Sequence, residues 1–167
     1  NELSIEEIEA KNPIGLILGG GPSLEDAGLC EEYIKHFDIP ILGICLGHQL
    51  IAKAYGGEVE TSETESYAQV KININEDKGL FKGLAPEMDV WSSHKDEVKT
   101  IPQDFEILAS SNLCDIESFK HKSKDVYGIQ FHPEVHHTPK GETIFKPPFL
   151  RVKSHSRPAP KCLIRER

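Results

Sequence analysis

Apolar positions along this chain fall into short blocks of differing period, and the blocks predict alternating strands and helices. Ser4-Ile5-Glu6-Glu7 has the spacing of a capping box, and Ile5 and Ile8 share one helical face. A short helix is therefore expected to about Lys11, where Asn12-Pro13 stops it. Gly15-Leu16-Ile17-Leu18 is a continuous apolar run ending in Gly19-Gly20-Gly21-Pro22, which reads as a buried strand feeding a tight loop. Residues 31–37 read as helix, and Pro40 resets the chain before a second buried strand, Ile41-Leu42-Gly43-Ile44. That strand runs through Cys45-Leu46-Gly47 into a helical stretch from His48 to Tyr55, closed by Gly56-Gly57. Fully apolar strands alternating with helices predict an α/β fold: a mostly parallel central sheet with helices on both faces.

Beyond this point the period becomes two. Residues 70–74 alternate, as do parts of 106–110 and 116–120, and 126–131 is a further strand candidate. These segments extend the sheet or form a small antiparallel flap. A helical start at 142–145 is interrupted by Pro147-Pro148. Residues 1–146 read as one domain, and 147–167, basic and without periodicity, as an atypical tail expected to be disordered.

Length and composition fit this picture, since 167 residues suit one domain and 38% hydrophobic content is ordinary for a globular chain. A net charge of −8 argues against non-specific binding to nucleic acid or to anionic membranes. The longest apolar run, Ile14–Leu18, is far short of the ~20 residues that span a bilayer. No secretory leader opens the chain. Cys30, Cys45, Cys114 and Cys162 form no closely spaced pair, which excludes zinc knuckles and Cys-x-x-Cys redox chemistry and indicates a reducing compartment, the cytoplasm.

Three segments carry candidate chemistry. In Gly43-Ile44-Cys45-Leu46-Gly47 a nucleophile sits between strand and helix, where flanking glycines permit a sharp turn and project the thiol from the sheet's carboxyl edge. The helix that follows offers free backbone N–H groups to a thiolate or an oxyanion. His132 and Glu134 lie two apart, so on an extended segment they share a side. Glu134 can then hold one imidazole nitrogen while the other faces Cys45, and Pro133 keeps the segment out of a helix. The Gly19–Pro22 loop can bring a backbone N–H to the reacting carbonyl; no Lys-Ser/Thr follows, which argues against a phosphate cradle.

Together, Gly-Gly-Gly-Pro at 19–22, Gly-Ile-Cys-Leu-Gly-His-Gln at 43–49, Trp-Ser-Ser-His-Lys-Asp-Glu-Val at 91–98 and Gln-Phe-His-Pro-Glu-Val at 130–135 resemble class I glutamine amidotransferases. Within that superfamily, Ser-His-x-Asp-Glu-Val and His137-Thr138-Pro139-x-Gly141 are most similar to the glutaminase subunit of archaeal-type two-subunit GMP synthetases. The resemblance implies a flavodoxin-like fold and a Cys45–His132–Glu134 triad that releases ammonia from glutamine. It implies an oxyanion hole from the N–H groups of Leu46 and of Gly20 or Gly21, and substrate contacts from Gln49 and Ser93. His94 and Asp96 are assigned to coupling with a partner, and His48 to a structural role. The implied partner is a separate ATP-pyrophosphatase subunit that aminates XMP; ATP and magnesium belong to that subunit, and this chain carries no cofactor.

Two departures temper the resemblance. The family's first strand and helix have no counterpart before Asn12, so the domain is expected to be N-terminally shortened. Its closing helix is replaced by Pro147-Pro148 and the basic tail. A decayed, non-catalytic relative and a glutaminase serving another acceptor (anthranilate, aminodeoxychorismate or carbamoyl phosphate synthesis) are the alternatives. A metal site at His132, Glu134, His136 and His137 is disfavoured, because the order is not His-Glu-x-x-His and Pro133 opposes the helix that would align two histidines.

Overall fold

A computed structural model describes residues 2–84 and 86–145. Its elements are α1 (Ile5–Glu9), β1 (Leu16–Leu18), α2 (Cys30–His36), β2 (Ile41–Ile44), α3 (Leu46–Ala54), β3 (Glu58–Ile74), β4 (Glu87–Thr100), β5 (Phe105–Ser111), β6 (Ser118–His121) and β7 (Val126–Ile129), with 3-10 turns at Leu24–Ala27, Gly79–Phe81 and Gly141–Thr143. The tail expected over 147–167 lies outside the described residues. Ser4 caps α1 as its sequence predicts: its hydroxyl accepts from the Glu7 N–H at 3.2 Å, and the Glu7 carboxylate accepts from the Ser4 N–H at 2.7 Å.

The strands form one seven-stranded sheet in the order β1-β2-β7-β6-β5-β3-β4. Only β1, β2 and β7 run parallel, with Leu18 opposite Gly43 and Ile44 opposite Ile129. Every other pairing is antiparallel. The α/β class holds, but the parallel part is a three-strand core and the antiparallel part is far larger than a flap. β2 and β7 are buried at every position, as strands covered on both faces must be. Ile41 and Val126 face α2 and α3, whereas Leu42, Ile44, Tyr127 and Ile129 face the opposite core with Phe81 and Ile144. Helix cover lies on the first face; on the second, among the described residues, 3-10 turns and the curled antiparallel strands replace it.

The largest difference from the sequence expectation is the β3–β4 hairpin. β3 starts at Glu58 rather than near Val70, and β4 alternates from Glu87 to Lys95 although no strand is legible there. Its inward row starts with Met88 and Val90 but continues through Ser92, His94 and Glu97, all buried, so the apolar alternation stops after two positions. β7 ends at Ile129, two residues early; Gln130 still donates its N–H to the Glu117 carbonyl at 2.8 Å, in register with the β6 pairing, before His132 crosses to Trp91 of β4.

Glu117 is itself nearly inaccessible, and its Oε2 has no partner among the described residues. Burial, reinforced by the charge of Glu97 and only partly relieved by a bond from Ser111, pushes its carboxyl up to about 7. The native pKa thus exceeds the unfolded one, so the protonated form contributes stability below pH ~4.5 that is lost as pH rises through ~7. Glu117→Gln should therefore change the melting temperature little at pH 5 and raise it relative to wild type at pH 8. The ceiling is about 3 kcal/mol. A constant difference between the two proteins across that range would count against an ionisation cost at Glu117.

Candidate active site

The three parallel strands end at the same edge, and their following loops supply the site. Gly20 and Gly21 follow β1, Cys45 follows β2, and His132 stands three residues beyond β7. Ligand sites at the carboxyl ends of parallel strands are the general expectation for such sheets. Cys45 extends the ladder by one bond, its N–H donating to the Ile129 carbonyl at 2.9 Å. A side chain at Gly20 would put its Cβ 3.2 Å from His132 Cε1 and 3.9 Å from Cys45 Cβ, so these three segments meet at one point.

The elbow differs from its sequence reading in one respect. The positive φ falls on Cys45 itself (φ 53°, ψ −103°), not on the flanking glycines. Gly43 and Gly47 serve clearance: a Cβ on Gly43 would lie 2.3 Å from the Gly47 carbonyl oxygen, and one on Gly47 2.2 Å from that of Leu18. The chain thus turns at Cys45 while the start of α3 presses against β1. The first intrahelical bond of α3 runs from the Gln49 N–H to the Cys45 carbonyl at 3.2 Å. The N–H groups of Leu46 and Gly47 precede it, in the first turn, where backbone donors have no acceptor within the helix. Gly21 lies next to the Leu46 side chain.

His132 is mostly buried; its Nδ1 lies 2.7 Å from Glu134 Oε1. The pair forms although the segment is not extended: His132 bridges to Trp91 of β4, donating its N–H to the Trp91 carbonyl at 2.9 Å, and a turn follows. Thr138 ties the turn down, its hydroxyl donating to the His132 carbonyl at 2.6 Å. The Cys45 sulfur beside His132, then Glu134, push the imidazole pKa up to about 10, so both neighbours favour a proton on the ring. Burial would raise the Glu134 carboxyl, but the bond from His132 and one from its own backbone outweigh it and hold the group below the usual carboxylate range.

β4 forms the opposite wall. The Ser93 carbonyl accepts from the Cys45 thiol at 3.7 Å, and Ser93 itself is half-buried. Gln49 is buried, its Nε2 donating to the Asp96 carbonyl at 2.8 Å; the Asp96 carboxylate accepts from the Thr61 hydroxyl at 2.8 Å. His94 lies inside rather than on a docking surface, with neither ring nitrogen partnered among the described residues, and burial lowers its pKa. His48 is the structural histidine expected: fully buried, stacked on Phe119 at 4.5 Å, and held neutral by burial with a pKa down to about 3. Gln130, given no role from sequence, is also in the site, its Nε2 3.8 Å from the Cys45 sulfur. His136 and His137 stack on one another instead of joining His132 and Glu134.

At the parallel edge Cys45 on its strand-to-helix turn meets a bonded His132–Glu134 pair, the arrangement of a candidate active site on an α/β domain, and similarity to known proteins names the class of that domain. The family profile of class-I glutamine amidotransferases matches residues 1–152, and the chain belongs to that family. More particularly, it is 82% identical over 146 residues to the A subunit of glutamine-hydrolyzing GMP synthase from Methanobrevibacter smithii, covering 87% of this chain and 77% of that one. The corresponding protein of Methanothermobacter thermautotrophicus is 60% identical over 146 residues, covering 87% and 78%. Among solved structures, a candidate GMP synthase A subunit from Thermoplasma acidophilum superposes with a TM-score of 0.80 at 37% identity, over 85% of this chain and 74% of that one. A glutamine amidotransferase from Thermotoga maritima gives 0.66 at 26% identity, over 81% and 60%. No helix of the described residues is long and apolar enough to cross a membrane.

Proposed function

We propose that this chain is the glutaminase subunit of a two-subunit GMP synthase, acting through Cys45, His132 and Glu134. The observation that carries the reading is the meeting of the Cys45 elbow with the bonded His132–Glu134 pair at one sheet edge. The Cys45 sulfur attacks the side-chain amide carbon of glutamine, and the oxyanion is held by the N–H of Leu46 and of Gly20 or Gly21. The His132 cation gives its proton to the amide nitrogen, the C–N bond breaks, and ammonia departs from a glutamyl thioester. Neutral His132 then takes a proton from water, whose oxygen attacks the thioester carbon and frees glutamate and the thiolate. Glu134 fixes the ring and offsets its charge throughout.

Ser93 is the better placed of the two substrate contacts, because Gln49 has to exchange its bond to Asp96 before it can take a ligand. That bond also gives β4 a coupling role. A partner that moves this strand shifts the Asp96 carbonyl that holds Gln49 and the Ser93 carbonyl that faces Cys45 together. The partner is a separate ATP-pyrophosphatase subunit, which binds ATP and magnesium and aminates XMP; this chain supplies ammonia in the cytoplasm and needs no cofactor of its own.

The test is glutamine-dependent GMP formation by this chain mixed with a synthetase subunit, XMP, ATP and magnesium. GMP should form from glutamine only when both chains are present, with one glutamate released per GMP. A mixture that makes GMP from added ammonium but never from glutamine overturns the reading.

A further inference from the structure

Gln130 is completely buried beside the nucleophile, and its carboxamide can be oriented from a fixed point. The Asp96 main-chain carbonyl only accepts, so the Gln49 group 2.8 Å from it is the NH2. A second hydrogen of that NH2 faces the Gln130 carboxamide at 3.4 Å and requires an acceptor there, which makes the facing atom Oε1. His48 Nδ1 lies 3.2 Å from the same oxygen, and the neutral ring donates to it. Turning the Gln130 amide over would set its NH2 against the NH2 of Gln49 inside the core, at the cost of a buried unpaired group. The NH2 of Gln130 therefore points at the Cys45 sulfur, 3.8 Å away. On its other side the sulfur meets the Ser93 carbonyl at 3.7 Å, which accepts from the thiol but repels the thiolate.

We propose that Gln130 is a further catalytic residue, whose side-chain N–H donates to the Cys45 sulfur and favours the thiolate over the thiol. Its donor stays with the sulfur once the thiol proton has passed to His132, offsetting the Ser93 carbonyl. Gln49 and His48 act through it, as positioning residues that fix its orientation. The proposal rests on the reading of Cys45 as the nucleophile.

The test is the pH dependence of Cys45 alkylation by iodoacetamide, followed on the Cys45 peptide by mass spectrometry, which needs neither glutamine nor a partner. In Gln130→Met, which keeps the length and loses the donor, the midpoint should rise by about one pH unit, a tenfold loss of thiolate below it. Gln130→Glu should raise it further. A merely structural role would lower the melting temperature and leave the midpoint in place. A measurement on the wild type covers the case in which neither variant folds: the side-chain amide of Gln130 in a ¹⁵N spectrum should shift with the alkylation midpoint, and should not in Cys45→Ser. An unchanged midpoint in folded Gln130→Met, or an amide signal flat across the Cys45 titration, overturns the proposal. A Gln130-dependent midpoint in a protein that releases no glutamate refutes the glutaminase reading and leaves the hydrogen bond standing.

Discussion

Replacing Cys45 by glycine is expected to reduce glutamine hydrolysis by roughly 10⁴-fold or more, and to leave a protein more stable than the Cys45→Ala variant. The first effect follows from losing the group placed to form the thioester; the backbone donors and the His132–Glu134 pair remain but have nothing to assist. The second follows from the backbone. At φ 53° and ψ −103°, Cys45 sits outside the left-handed α basin, in a combination that a Cβ resists. Such a residue costs on the order of 1–3 kcal/mol. Glycine removes that strain and gives back about 0.4–1 kcal/mol through the greater freedom of the unfolded chain. Alanine keeps the Cβ and the strain while losing the sulfur's packing. Thermal unfolding should therefore place Cys45→Gly above Cys45→Ala by about 1 kcal/mol, or roughly 2–4 °C for a domain of this size. At an ordinary position the order is the reverse. An alanine variant more stable than the glycine variant would show that the elbow stores no strain.

What the sequence made legible were the parts in which local pattern and global fold agree. The run at 41–44 is apolar throughout because both faces of that strand are covered, whereas at 16–18 only Leu18 is fully buried and Ile17 is exposed; the capping residues of α1 act within one turn. The strand-to-helix turn at Cys45 and the pairing of His132 with Glu134 are legible because their signals lie in short spacings. What stayed hidden depends on long-range pairing. β4 carries Ser92, His94 and Glu97 inward, so the strand that walls the site looks like a polar loop. Gln130 gave no signal because its role exists only once β7 brings it under α3, 85 residues along the chain from Cys45. The burial of His94 was hidden for the same reason: the hairpin that folds it inward cannot be read from its motif. Where the inward face of a strand is polar, the hydrophobic pattern fails at the place where the chemistry sits.

Gly43→Ala and Gly47→Ala are each expected to cost more than about 3 kcal/mol and to prevent accumulation of folded protein. Neither glycine has a positive φ, so backbone freedom is not the reason; space is. A Cβ added at Gly43 would meet the Gly47 carbonyl oxygen at 2.3 Å, its carbon at 2.4 Å and the His48 nitrogen at 2.7 Å. One added at Gly47 would meet the Leu18 carbonyl oxygen at 2.2 Å. All but the Leu18 side chain are backbone atoms in the first turn of α3 or at the end of β1, and none can swing away as a side-chain tip does. Relief means lifting α3 from the sheet, which opens the packing of Leu46, Leu50 and Ile51 on Leu18 and Ile41. Overpacking a rigid site costs about 1–3 kcal/mol, and more where backbone must move. Gly20→Ala is the control. Its Cβ would stand 3.2 Å from His132 Cε1, a ring that can yield by a few tenths of an ångström. It should fold with a near-normal denaturation midpoint and lose glutamine turnover instead, because the ring it displaces is the proposed proton carrier. Equal destabilisation by all three substitutions would mean that the clearance between β1 and the start of α3 is not what these glycines provide.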